Sequence, residues 1–240
     1  MGHHFAPVNR EPSMSIKRIR VWDLPTRVFH VLLILGIMGS LFTVYFSDEL
    51  MQWHARIGLF LLSLLLWRLV WGFVGGHWSR FKHFVEHPKA AWQTLQNHSA
   101  GVRVPSIGHN PMGAWSVVIM LLSFSLQALT GMCSDDEAGL SGPLTQYLSS
   151  DWVERATWYH SEIGQPLIWV LLTLHVLVVL YYRWRLMEDL ITPMITGDKD
   201  WETSDQNEEL VESKDTLGLR IAALILLLAL CSAVFTTFKL

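Results

Sequence analysis

The chain has 240 residues and a formal net charge of −3 at pH 7. Hydrophobic residues make up 51% of it and charged residues only 16%, whereas a soluble globular domain carries about a quarter charged residues. This composition excludes an ordinary soluble domain and predicts an all-α integral membrane protein.

The first segment, residues 1–16, is interpreted as an N-terminal extension. Its start, Met1-Gly2-His3-His4, resembles a tag remnant, and Met14 is an alternative native start. No cleavable signal peptide is predicted, because the first apolar run is too long for one and no small-residue cleavage site follows it.

Five apolar stretches are long enough to cross a bilayer, for which a helix needs about 20 residues. These predicted spans are residues 22–46, 54–74, 111–132, 158–184 and 217–238. Acidic residues follow the fourth span, so residues 201–216 are predicted to be a solvated cytoplasmic linker, with a docking surface as the alternative. Residues 217–240 are predicted to form a C-terminal membrane helix.

Basic residues determine the predicted orientation. They lie before span one (for example Arg18), between spans two and three (Lys82) and after span four (Arg185). The opposite loops carry only Arg56 and Arg155 as basic residues, together with several acids. The positive-inside rule therefore predicts a cytoplasmic N-terminus, in a membrane protein that contacts lipid.

Four histidines lie inside or at the mouth of apolar spans: His30, His54, His160 and His175. An imidazole left unpaired in hydrocarbon costs a few kcal/mol. Four of them, on three spans and at two matching depths, predict two metal centres, each with two histidine ligands.

Depth decides which histidines can meet. His30 and His175 lie at similar distances from the predicted cytoplasmic side and are called the inner pair; His54 and His160 lie near the other side and are called the outer pair. His160 and His175 are fifteen residues apart on span four, about 22 Å of helix rise and close to four turns. Both rings therefore leave that helix in a similar direction.

Each histidine of the outer pair is followed four residues later by a glycine, Gly58 or Gly164. Positions i and i+4 share a helix face, so a missing side chain there leaves room for a flat macrocycle. Close helix packing by small residues is the alternative. The repeated pattern favours haem as the metal group.

Zinc is the rival metal, because residues 83–87 (His-Phe-Val-Glu-His) match an inverted zinc-protease pattern. The pattern lies in a basic loop ahead of Pro88, without an evident third ligand, and is interpreted as a chance match. His77, His98 and His109 are interpreted as loop histidines. Only Cys133 and Cys231 occur, which argues against iron–sulfur clusters and covalently attached haem.

Several motifs resemble the family of bacterial cytochrome b-561 and nickel–iron hydrogenase b-type cytochromes. They are residues 21–30 (Val-Trp-Asp-Leu-Pro-Thr-Arg-Val-Phe-His), Trp53-His54 with Gly58, residues 68–75 (Arg-Leu-Val-Trp-Gly-Phe-Val-Gly), Gly108-His109-Asn110-Pro111 and Met194-Ile195-Thr196-Gly197. The similarity covers about residues 17–200. The chain departs from the pattern at Val31, where a tryptophan is common.

The resemblance implies that residues 17–200 form a four-helix membrane bundle with two non-covalent haem b groups, whose axial ligands are the inner and outer histidine pairs. It also implies electron exchange between membrane quinone and a protein partner, in electron transport of a respiratory chain. The fifth span has no histidine and is predicted to be accessory.

Haem propionates need cationic partners. Arg27 and Arg68 are predicted to pair with inner propionates and Arg56 with outer ones. The alternative for each arginine is that it extends to the membrane interface.

The leading hypothesis is an electron-transfer subunit or quinone-linked oxidoreductase whose partner is a periplasmic c-type cytochrome or a catalytic subunit. The acidic outer face favours a basic protein partner. One alternative is oxidation of superoxide or another small reductant at the outer haem, with quinone as acceptor. A remote alternative is a non-redox transporter. No catalytic residue is assigned, and no nucleic-acid partner is expected.

Overall fold

A computed structural model of the chain describes residues 15–46, 50–100, 102, 105–136, 139–203 and 209–238, apart from the side chains of residues 98 and 99. Most of the predicted N-terminal extension (residues 1–14) and residues 204–208 of the predicted linker lie outside the described residues. Five helices in the described part are long and apolar enough to cross a membrane. The predicted all-α membrane fold with five spans is confirmed, and the boundaries of four spans agree to within three residues.

The membrane helices are α1 (Leu24–Phe46), α2 (Met51–Val74), α5 (Pro111–Met132), α7 (Gln165–Arg185) and α9 (Leu217–Thr237). Shorter helices are α3 (Phe81–Phe84), α4 (Pro88–Ser99), α6 (Ser150–Trp158) and α8 (Ile191–Thr196), and two strands are β1 (Ser15–Arg20) and β2 (Asp198–Thr203). α1 packs on α2, α2 on α5, and α5 on α7. α9 packs on the α1–α2 side, where Trp67 Nε1 donates to the Ala223 carbonyl at 3.0 Å.

The fourth span begins earlier than predicted. α6 continues into α7 through a π-helical turn at Tyr159–Gly164, so that one helix runs from Ser150 to Arg185. Pro166 follows the turn; it has no N–H to donate, and its ring crowds the carbonyl four residues before it. The wider π turn accommodates this proline. Such turns occur frequently at functional sites, and this one contains His160.

The two strands form an antiparallel ribbon that the sequence did not predict. Ser15 pairs with Thr203 and Arg20 with Asp198, and the Arg20 Nε lies 2.7 Å from Asp198 Oδ1. Gly197 opens this ribbon in a left-handed conformation (φ 92°), which glycine adopts without steric cost. Its carbonyl accepts the N–H groups of Val21 and Trp22, which fixes the start of α1 to the end of α8.

Beside the ribbon, a buried carboxylate organises the same end of the bundle. Asp23 has no exposed surface and accepts hydrogen bonds from the Thr26 N–H, the Gly76 N–H, the Ser79 hydroxyl and the Trp71 indole. It therefore holds the start of α1 against the end of α2.

The linker predicted for residues 201–216 is not solvated throughout, which corrects that expectation. Residues 201–203 belong to β2, and Ser213 is 4% exposed. The Ser213 hydroxyl donates to the Val21 carbonyl at 2.6 Å, and the Ser213 N–H donates to the Arg20 carbonyl. The acidic composition favours solvation of the segment as a whole, but these contacts attach Ser213 to the end of the bundle that carries the β1–β2 ribbon. This end is called the ribbon end.

Candidate functional site

The four histidines form two pairs of facing rings. The ring centres of the outer pair, His54 on α2 and His160 in the π turn, are 6.1 Å apart. Those of the inner pair, His30 on α1 and His175 on α7, are 6.4 Å apart. When two imidazoles bind one metal ion from opposite sides, each metal–nitrogen bond is about 2.0–2.1 Å long and each nitrogen lies roughly 1.1 Å from its ring centre. The two ring centres are then about 6.2–6.4 Å apart. Both separations fit one metal ion between two imidazoles.

Hydrogen bonds orient both rings of the outer pair. His160 Nδ1 lies 3.0 Å from the Gln127 carbonyl oxygen, and His54 Nδ1 lies 3.1 Å from the Ser40 carbonyl oxygen. Because a carbonyl only accepts, each ring donates from Nδ1 and keeps the lone pair on Nε2. Metal-ligating histidines typically donate their other ring nitrogen in this way.

A cavity of about 350 Å³ adjoins the outer pair, within the usual range for cofactor sites. His54, Gly58 and His160 line it, and it extends to Asp135 and Asp136 at the end of the bundle opposite the ribbon. A Cβ built at Gly58 meets no atom within 4 Å, so the missing side chain adds to the open volume. Gly58 lies where the sequence analysis expected room for a macrocycle.

Gly164 has a different environment from Gly58, and its place beside a macrocycle stays a prediction. It does not line the cavity, and a Cβ built there would overlap Gln127 Oε1. Its missing side chain instead allows close packing of α5 on the π turn, where Gln127 Nε2 donates to the His160 carbonyl at 2.9 Å. These contacts agree with the small-residue packing alternative for Gly164.

Sequence reasoning missed Gly131, the glycine that approaches a histidine most closely. A Cβ there would lie 2.7 Å from His160 Cε1, so only glycine admits the ring against α5. Gly131 follows Gln127 by four residues, and both therefore lie on one face of α5. A polar amide inside an apolar span was the signal that could have found this pair.

The inner pair has another environment. Among the described residues, no hydrogen bond reaches the ring of His30 or His175. Arg68, on the neighbouring α2, is 3% exposed, its guanidinium lies 5.0 Å from the Phe81 ring, and its Nη1 is buried without a hydrogen-bond partner. A buried cation that lacks an anion is strongly unfavourable, so a negatively charged group fits this position.

The other two arginines singled out from the sequence differ from Arg68. Arg27 is half-buried; its Nη1 donates to the Ile195 carbonyl at 2.6 Å, and its Nε is buried without a partner. Arg56 is exposed, lies 5.1 Å from the Trp53 ring and does not line the outer cavity. The expectation that Arg56 serves an outer propionate stays a prediction, and its exposed position over an aromatic ring agrees with the alternative that it extends to the membrane interface.

His109, interpreted from sequence as a loop residue, does lie in the loop before α5, but it is buried. Its ring centre lies 4.7 Å from those of Trp22 and Phe84. Burial, followed by the charges of Arg68 and His175, lowers the pKa of His109 to about 3, so the ring is neutral. Its Nδ1 is buried without a hydrogen-bond partner.

The remaining loop histidines show no comparable site. His77 and His83 stack with ring centres 3.9 Å apart, and His98 lies within α4 rather than in the loop expected from the sequence. Among the described residues, no group of three or more His, Cys, Asp or Glu side chains is arranged to hold a metal ion.

The donor set fits two iron porphyrins. Each site offers two imidazoles at the required separation, the outer site adds an apolar cavity with a glycine wall, and the inner site adds a buried guanidinium without an anion. Imidazole is a common axial ligand of haem iron.

A family model described as prokaryotic cytochrome b561 matches residues 21–197, nearly three-quarters of the chain. This is a family of membrane proteins that bind b-type haem and transfer electrons. Searches of curated proteins and of solved structures return no match.

Proposed function

Because the chain belongs to the prokaryotic cytochrome b561 family, we propose that it carries electrons through two b-type haems between membrane quinone and an extracytoplasmic redox partner. One observation carries the proposal: the four intramembrane histidines form two pairs, each with ring centres 6.1–6.4 Å apart. The inner pair holds one haem and the outer pair the other.

The protein's own groups prepare these sites. The Ser40 and Gln127 carbonyls hold the outer imidazoles in the tautomer that presents Nε2. Two histidines per site would hold each haem iron, which would leave no coordination position for dioxygen and would favour electron transfer. When bound, each haem supplies a one-electron carrier whose potential depends on its ligands, its burial and nearby charge.

The two sites lie at different depths. His160 and His175 are fifteen residues apart on the same continuous helix, which corresponds to about 22 Å of rise. Two carriers at this spacing serve both faces of a bilayer whose hydrocarbon core is about 30 Å thick.

We assign the ribbon end to the cytoplasm of a bacterial inner membrane. Lys17, Arg18 and Arg20 on β1, and Arg183 and Arg185 at the end of α7, lie at this end. The positive-inside rule supports the assignment. The outer pair and its cavity then face the extracytoplasmic side.

The partner at the outer face is a cationic redox protein, such as a c-type cytochrome or a catalytic subunit. Asp135 and Asp136 line the end of the outer cavity, and their negative charge attracts a basic surface. A second candidate, oxidation of a small reductant such as superoxide, is favoured by the cavity, which gives a small molecule access to the outer pair. The two carboxylates disfavour an anionic substrate.

The test is a reduced-minus-oxidised visible spectrum of the purified chain with haem quantified per polypeptide. We expect b-type bands and two haems per chain. Absence of haem would exclude the proposed function. Reduction by superoxide at a rate unaffected by Asp135→Asn with Asp136→Asn, combined with no response to basic c-type cytochromes, would favour the second candidate.

A further inference from the structure

Two buried side chains near the inner pair have polar atoms without partners. Arg68 is 3% exposed and its Nη1 is unpaired, and His109 Nδ1 is buried and unpaired as well. Natural proteins pair nearly all buried polar groups, and a buried guanidinium without an anion is especially unfavourable. Two such atoms in one region indicate that a bound ligand supplies their missing hydrogen-bond partners.

Asp23 interacts with Arg68 electrostatically but is not the missing hydrogen-bond partner of the guanidinium. One oxygen accepts the Thr26 N–H, the other accepts the Gly76 N–H and the Ser79 hydroxyl, and the Trp71 indole approaches both. These four donors hold the carboxylate at the junction of α1 and α2, and Arg68 Nη1 remains unpaired.

Contacts join Arg68 and His109 into one region. The Arg68 guanidinium lies over the Phe81 ring at 5.0 Å, the Phe81 ring lies 5.7 Å from that of Phe84, and the Phe84 ring lies 4.7 Å from that of His109. Phe84 is 3% exposed and Trp22, on the other side of His109, is 7% exposed. These aromatic rings separate the Arg68 guanidinium and the His109 imidazole from solvent.

A hydrogen bond places this region beside the inner pair. The Asn110 side chain donates to the Tyr182 hydroxyl at 2.6 Å, which fixes the His109 loop against α7. Tyr182 follows His175 by seven residues, so the two lie on the same helix face about 10 Å apart. The electrostatic interaction of His109 with both Arg68 and His175 agrees with this placement.

We propose that Arg68 and His109 form a carboxylate-binding site that receives a propionate of the inner haem. The inference rests on the proposed function, because it requires a haem between His30 and His175. A guanidinium and an imidazole N–H suit the two oxygens of one carboxylate. The neutral imidazole donates one hydrogen bond without adding a second positive charge beside Arg68.

The first test compares His109→Phe, which keeps the ring volume without an N–H, with Arg68→Gln and with the matched control His87→Gln. His87 is an exposed histidine in the neighbouring loop. In His109→Phe and Arg68→Gln we expect one haem to dissociate to apomyoglobin at least tenfold faster, while the other is retained. In Arg68→Gln the midpoint potential of that haem should fall, because a positive charge that favours the added electron is lost. Wild-type dissociation rates in both variants would overturn the proposal.

The second test relies mainly on the folded wild-type chain, with His109→Phe as the comparison. Haem-depleted protein is reconstituted with haem b or with its dimethyl ester, which carries no carboxylates. We expect the inner site to prefer haem b at least tenfold and His109→Phe to reduce that preference. Two haems bound without discrimination against the ester would overturn this inference and leave the proposed function intact, whereas a wild-type chain that binds no haem would overturn both. Retention of haem only when phospholipid is present would assign Arg68 to a lipid phosphate and also overturn the inference.

Discussion

His160 Nδ1 donates to the Gln127 carbonyl oxygen at 3.0 Å, and this bond fixes which nitrogen of the ring faces His54. The contact depends on Gly131, because any side chain at that position would collide with the imidazole. The His160 imidazole is therefore oriented by a helix that carries none of the four paired histidines.

His54→Ala and His160→Ala should each remove the same haem, because the two rings face each other across one site. His30→Ala and His175→Ala should each remove the other haem. Haem per chain should fall from two to one in all four variants, and potentiometric titration should identify the remaining haem. Loss of different haems in His54→Ala and His160→Ala would contradict the pairing.

Gly58→Leu should lower haem content without harming the polypeptide. No protein atom lies within 4 Å of a Cβ at Gly58, so the added side chain occupies the outer cavity rather than colliding with the helix. We expect one haem per chain and an unchanged unfolding temperature of the haem-free protein. Gly218→Leu is the control, since its Cβ also meets nothing but lies at the start of α9. Equal haem loss in both variants would argue against a cofactor beside Gly58.

Arg56→Ala should leave both haems in place, because the side chain is exposed, stacks over Trp53 and does not line the outer cavity. Midpoint potentials of both haems, measured in detergent, should match the wild type. A shift of the outer haem's potential would instead support Arg56 as a propionate partner.

Asp23→Ala should destabilise the ribbon end by about 3 kcal/mol, since it leaves several buried donors without an acceptor. The effect should appear as a lower unfolding temperature of the purified protein. Asp200→Asn, an exposed acid of β2, is the matched control and should change stability little. Similar unfolding temperatures for the two variants would contradict a central role for Asp23.

We expect Asp189, just before the start of α8, to contribute a pH-dependent part of the free energy of unfolding. Burial by itself raises the pKa of its carboxyl, but hydrogen bonds from Thr192, Arg183 and Ile191 outweigh it and lower the pKa to about 2. Folding therefore favours the ionised form, and the stabilisation is complete above the unfolded pKa of about 3.9 and disappears as the pH falls toward 2.

Asp189→Ala should accordingly cost about 1 kcal/mol at pH 7, the usual effect of losing a side chain that caps a helix start. The difference in unfolding free energy between variant and wild type should shrink between pH 4 and pH 2, which denaturant titrations at each pH would measure. A difference that stays constant over this interval would show that the carboxylate charge is not the stabilising feature.

Much of the fold could be predicted because its signals are local. Apolar runs of about 20 residues determine membrane helices wherever they occur, and a separation of fifteen residues places His160 and His175 on one helix face whatever surrounds them. Depth and helix direction then restrict which histidines can meet. For these reasons the spans, and the juxtaposition of His30 with His175 and of His54 with His160, followed from the sequence.

Only the tertiary structure decided the features that depend on how helices rotate and which distant segments meet. Gly58 and Gly164 follow their histidines at the same spacing, yet one faces the outer cavity and the other faces Gln127, because their helices have different neighbours. The β1–β2 ribbon joins segments about 180 residues apart. Its two strands are short and show no alternating pattern of apolar residues from which their pairing could be predicted. The burial of His109 beside Arg68 likewise arises where a loop meets α2 and α7. Local periodicity determines which face a residue occupies on its own helix, but the partner opposite that face is set by packing across the whole chain.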